Sequence, residues 1–189
     1  MFGRMQTCDG MDDQGRVVAF EVDKGKDAMQ NAISLSAVIE ALEIASDEMS
    51  SYANKKTGEV VTLGHEEMGF AEEDADGDMP DWQRELVARA KEVLGSADWL
   101  ALPDKFEIHE WEIMDRFGQS LAGAAERREI GDAIRGNGAF RMFKSTIRRL
   151  GMEDAWFAFK QRTLEEMARD WLNQHGLPIE EAPPDKRVK

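Results

Sequence analysis

Between residues 105 and 174, apolar side chains return at helical spacing in four blocks, roughly 107–121, 124–134, 138–150 and 154–174. Gly118, Gly123, Gly136, Gly138 and Gly151 punctuate them. Helices of this length are stable mainly through the apolar stripe they bury against a neighbour. This pattern therefore commits the second half of the chain to helices packed on one another. In the last block Trp156, Leu164, Met167, Ala168 and Trp171 share one sector, so two indoles anchor its buried face.

The first half mixes periods. Leu35, Val38, Leu42, Ala45 and Met49 predict a helix over 35–49, with Ser34 able to cap its start. A hairpin follows, from Ser50–Tyr52 to Val60–Leu63, with Thr57-Gly58 as its turn and β-branched residues in its second arm. Residues 66–81 hold eight acids and no base, which reads as a solvated helix end running into an acidic loop. Pro80 suits a first helical turn, and the helix it opens buries Trp82, Leu86, Ala90 and Val93 before Gly95 stops it. Trp99–Leu102, ahead of Pro103, reads as a short buried strand or an extended linker. The sum is an α+β, predominantly helical fold of about six helices and one short β-hairpin. Residues 34–176 form a single globular domain in this reading. Residues 1–33 form a mobile N-terminal segment, with at most a transient strand at Val17–Phe20, and residues 177–189 form a flexible tail.

Charge narrows the function classes. The 189 residues carry 24 basic and 38 acidic side chains, a net charge of −14. Residues 1–100 hold 9 basic and 22 acidic residues, and the remainder is nearly balanced with 15 and 16. Such a net anion is repelled by phosphate, so nucleic acid is disfavoured as a partner of the whole surface. No apolar run approaches the ~18 residues of a membrane span, and the first thirty residues lack the apolar core of a secretory signal. Cys8 is the one cysteine and has no internal disulfide partner. These features lead us to expect a cytoplasmic protein with no membrane association.

One stretch runs against the acidic background. Residues 133–150 contain Arg135, Arg141, Lys144, Arg148 and Arg149 and no acid. At 100° per residue Arg141, Lys144 and Arg148 fall within a sector of about 60°. Phe140, Phe143, Ile147 and Leu150 fall in the neighbouring sector. Gly136 and Gly138 open this helix, leaving backbone N–H groups approachable at an end that favours anions. Arg135, Gly136, Gly138, Arg141, Lys144 and Arg148 are thus the candidate site for an anion or, above all, an acidic protein partner. Two plainer readings stand beside it. The cations pair internally, the 66–81 acids being one source, or the aromatics here and at Trp156, Phe157 and Phe159 are simply core. Single-stranded RNA is a further alternative, with those aromatics stacking on bases.

Motifs for catalysis and metals fall short. Asp74-Ala75-Asp76-Gly77-Asp78 has the look of a calcium loop, but the closing ligand position is Gln83 and Pro80 lies inside it. His65-Glu66 and His109-Glu110 begin zinc-protease motifs whose second histidines would be Gly69 and Ile113. Gly118–Gly123 misses a nucleophile elbow by one residue, and Gly136-Asn137-Gly138 lacks the third glycine of a dinucleotide fingerprint. His109, Glu112 and Arg116 can share a helix face, which leaves a small-molecule enzyme as a third alternative. We expect no catalytic residue, no metal and no cofactor.

Gly136-Asn137-Gly138-Ala139-Phe140-Arg141-Met142-Phe143-Lys144, followed by Trp156-Phe157-Ala158-Phe159, resembles the uncharacterised bacterial protein family UPF 0158. Lys105–Trp111 with Met114 and Phe117, and Thr57-Gly58-Glu59-Val60 after an amphipathic helix, fit the same resemblance, which spans about residues 35–176 in order. The family pattern often has a second Arg at the place of Met142 and an Asp at that of Ser145. The resemblance implies a small cytoplasmic bacterial protein and no particular activity.

Overall fold

The structure, a computed structural model, describes residues 9–11, 17–19, 31–73 and 79–181. Cys8, the centre of the acidic loop at 74–78 and the last eight residues lie outside them, and with them the calcium-loop reading. Strands β1 (Asp9–Met11) and β2 (Val17–Ala19) pair antiparallel. The body begins at β3 (Ile33–Ser34) and α1 (Leu35–Glu43), where the Ser34 hydroxyl accepts from the Ala37 amide. The sheet strands are β4 (Met49–Asn54), β5 (Val60–Gly64) and β6 (Trp99–Ala101), with α2 (His65–Glu72) and α3 (Asp81–Leu94) between β5 and β6. Five helices follow: α4 (Lys105–Ile108), α5 (Glu110–Ser120), α6 (Ala124–Ala133), α7 (Ala139–Arg149) and α8 (Glu153–Gln174). Strand β7 (Ile179–Glu180) closes the order. The α+β, mostly helical class and the hairpin agree with the sequence reading. No helix among the described residues is long and apolar enough to cross a membrane.

The three-stranded antiparallel sheet has the order β5-β4-β6 and two occupied faces. Ala53 pairs with Val60 and with Leu100, and all three point into the main core. Tyr52 pairs with Val61 one residue away, so period-two alternation sends them to the opposite face. There Leu63, Met68, Ala90, Val93 and Trp99 form a second, smaller core under α2 and α3. The main core joins α1 and the α5–α8 helices. Leu164, Leu172, Ile130 and Val38 are fully buried in it, and Phe117, Phe143 and Trp156 meet edge to face.

Several expectations are corrected. The first helix stops at Glu43, not 49, because the Ser46 hydroxyl takes the Glu48 amide into a local turn, and Met49 opens β4. The predicted 107–121 helix is two helices, since His109 adopts a left-handed φ of 48° between them. Asp104 and Glu107 build a capping box that starts the first of these at Lys105. Trp82 and Leu86 are exposed rather than core, at 60% and 39%. The buried stripe of α3 is Val87, Ala90 and Val93; a spacing of three drifts about 60° backwards per step and leaves the first turns facing elsewhere.

The domain also extends past both expected edges. Ile33 is fully buried, and β3 pairs in parallel with β7, beyond residue 176. The Ile33 amide donates to the Pro178 carbonyl at 2.8 Å, and Leu177 is buried. Arg169 on α8 holds this return segment through Glu165 and Glu181. Those hydrogen bonds raise the guanidinium pKa, and they lower that of the Glu181 carboxyl. A run of one leucine and one isoleucine after a helix stop is too short to signal this pairing in the sequence.

Candidate functional site

Helix α7 is built for two environments. Ala139, Phe143, Thr146 and Ile147 line its buried side, where Phe143 stacks edge to face on Trp156 with centroids 4.7 Å apart. Arg141, Lys144, Ser145 and Arg148 are exposed on the opposite side. The sector predicted for the three cations is therefore solvent-facing, and together with Phe140 and Ser145 it lines an open groove along the helix.

The start of α7 is set by glycine. Gly136 and Gly138 both have φ of 80°, a region that side chains with a Cβ rarely adopt, and Gly138 is the N-cap. No side chain caps this end, and its first turn holds no acid. Arg141 folds back over it; one guanidinium nitrogen lies 3.8 Å from where a Gly138 Cβ would sit. A cation thus sits at the positive end of a helix with no anion supplied by that turn.

Ion pairing divides the five cations. Arg135 reaches Asp132 at 3.3 Å, Arg148 reaches Glu153 at 3.2 Å, and Arg149 is paired with Glu129. The first two pairs are wide open to water, where such contacts contribute about 0–1 kcal/mol and exchange easily. Arg141 and Lys144 make no ion pair or side-chain hydrogen bond among the described residues. The described acids of the 66–81 stretch do not reach this helix either; Asp81 pairs within its own helix, with Arg84.

A second concavity adjoins the groove at the α6–α7 corner. Trp111, Ile134, the Arg135–Gly138 loop, Phe140 and Arg141 line it, and it measures about 740 Å³. The Trp111 indole donates to the Ile134 carbonyl at 2.9 Å, which ties the start of α5 to the end of α6. Even so, Trp111 and Phe140 are 46% and 47% exposed. The angular spacing puts Phe140 on the packing side and counts Phe157 as core, yet Phe157 is 63% exposed. Phe140 lies in the first turn of α7, and helical side chains lean toward the N-terminus. It therefore overhangs the glycine corner instead of following Phe143 and Ile147 inward. Trp111 enters the sequence reading only within the stretch that carries the family resemblance. Its angle, more than 100° from the mean direction of Ile113, Met114 and Phe117, was the available signal.

The other sequence candidates do not assemble. His109 is exposed and lines neither concavity, and no side-chain hydrogen bond or ion pair among the described residues joins its imidazole to Glu112 or Arg116; the Glu112 amide donates only to the His109 backbone carbonyl, and Arg116 faces Glu166 at 4.0 Å. His65 meets Ser50 at 2.9 Å, a contact made by β4–β5 pairing that the sequence spacing concealed, but His65 stands exposed. No group of three or more metal-ligating side chains occurs among the described residues. Comparison of the chain with protein-family models, with curated proteins and with solved structures returns no match.

Proposed function

We propose that this chain is a non-catalytic interaction domain whose α7 edge docks an acidic segment of another protein. The observation that carries the reading is the pair Arg141 and Lys144, exposed and without an ionic partner among the described residues, at a helix start that has no anion of its own. An acidic segment there meets Arg141 at the helix end and Lys144 about one turn further along. Arg135 and Arg148 exchange weak exposed pairs for the same partner. The single cysteine supports a reducing, cytoplasmic setting, and the resemblance to UPF 0158 is compatible with a role that involves no reaction.

Fluorescently labelled poly-L-glutamate tests this by anisotropy. The wild type binds it, added salt weakens the binding, and the triple reversal Arg141→Glu, Lys144→Glu, Arg148→Glu abolishes it while far-UV circular dichroism is unchanged. Equal binding by the folded triple variant overturns the reading.

A further inference from the structure

We propose that the acidic partner segment carries an aromatic side chain, and that this ring seats in the corner concavity between Trp111 and Phe140. The inference rests on the docking reading of α7 and deepens it by naming the partner's anchor. Trp111 and Phe140 each leave about half of their surface in water and line the same concavity, and large apolar groups exposed in one place mark contact sites. The loop beneath them has no side chain at Gly136 or Gly138, and a Cβ built on Gly136 would meet nothing within 4 Å, so the space above the loop is open to a guest. The concavity opens to solvent, so a partner's ring reaches it from outside. An aromatic guest gains edge-to-face contact with the two rings and a cation–π contact with Arg141, which an aliphatic one does not.

Arg141 lines both this concavity and the α7 groove. Acids flanking the seated ring therefore meet Arg141 first. Lys144 and Arg148 follow at roughly 4.5 and 6 Å steps along the helix axis, from the rise of 1.5 Å per residue. A nucleic-acid strand also brings rings and anions. A strand is held by a basic groove that tracks its backbone, however, and the exposed cations here are confined to one helix edge.

The test compares three labelled probes at one salt concentration: a random copolymer of glutamate and tyrosine, one of glutamate and alanine with the same charge density, and polyuridylate. The wild type binds the tyrosine copolymer about tenfold tighter than the alanine copolymer, a difference equal to ~1.4 kcal/mol. Phe140→Ala, at an exposed position that the folded core does not use, brings the two copolymers to parity. Equal binding of both copolymers by the wild type, or a preference that survives Phe140→Ala, overturns the anchor while the docking reading stands. Absence of binding to either copolymer overturns the docking reading itself, and the anchor with it. Tighter binding of polyuridylate than of both copolymers assigns the face to nucleic acid and rejects the acidic segment.

Discussion

Phe143 and Phe140 stand three residues apart on one helix, and their alanine variants separate the load of the fold from the load of the proposed contact. Phe143 is 1% exposed, lies 4.7 Å from the Trp156 ring and 6.2 Å from Phe117, and meets both edge to face. Truncating a buried phenylalanine costs about 3–5 kcal/mol through lost transfer energy and the cavity left behind. The two aromatic contacts place this case toward the upper end. For a chain of this size each kcal/mol lowers Tm by roughly 2–4 °C, so Phe143→Ala falls by about 6–20 °C. Phe140 is 47% exposed and overhangs the corner, so Phe140→Ala changes stability by less than about 1 kcal/mol. Urea titrations followed by far-UV circular dichroism measure both, and an unchanged urea slope certifies the comparison. Equal losses in the two variants, or a loss below about 1 kcal/mol for Phe143→Ala, refute the two-sided account of α7.

Glycine substitutions separate conformation from crowding. Gly138→Ala costs about 1–2 kcal/mol for its left-handed backbone alone, since the nearest atom to its new Cβ is 3.8 Å away. Gly58→Ala costs more, because at φ of 76° its Cβ would also stand 2.5 Å from the Ala32 carbonyl oxygen; Tm shifts rank the two, and the reverse order contradicts the geometry. The Arg169 clasp gives a pH dependence. Glu181 has its carboxyl pKa lowered in the folded state by Arg169, so its contribution is present above the unfolded carboxylate pKa and is lost as pH falls through the folded value. Protection of the Ile33 amide against exchange, corrected for the intrinsic rate, declines over that acid range in the wild type. It declines less in Arg169→Leu, and identical profiles remove the clasp from the account.

Periodicity made the helices legible because each buries a stripe wide enough to survive small errors in its ends. Trp156, Leu164, Ala168 and Trp171 are all buried, as their shared sector requires. The hairpin was legible for a different reason: Gly58 is the residue that permits its φ of 76°. What stayed hidden depends on tertiary context. The left-handed His109 breaks a run whose apolar spacing continues through it, and the parallel pairing of Ile33 with Ile179 joins segments 146 positions apart. At the candidate site the cation sector was readable from spacing, while the exposure of Phe140 and Trp111 depends on where α5, α6 and α7 meet. Whether Arg141 and Lys144 find acids depends on the placement of other helices, which a single helix's pattern does not contain.

The availability of Lys144 to an outside anion is measured most directly by acetylation followed with mass spectrometry, with and without poly-L-glutamate. Lys56, in the β4–β5 turn and paired with Asp98, serves as the reference outside the α7 edge, and Lys160, paired with Glu110 and 24% exposed, as the sheltered one. The account predicts that Lys144 reacts faster than Lys160 and is selectively protected when the polymer is added, with Lys56 unaffected. Slow modification of Lys144 in the free protein, or equal modification with and without the polymer, contradicts it.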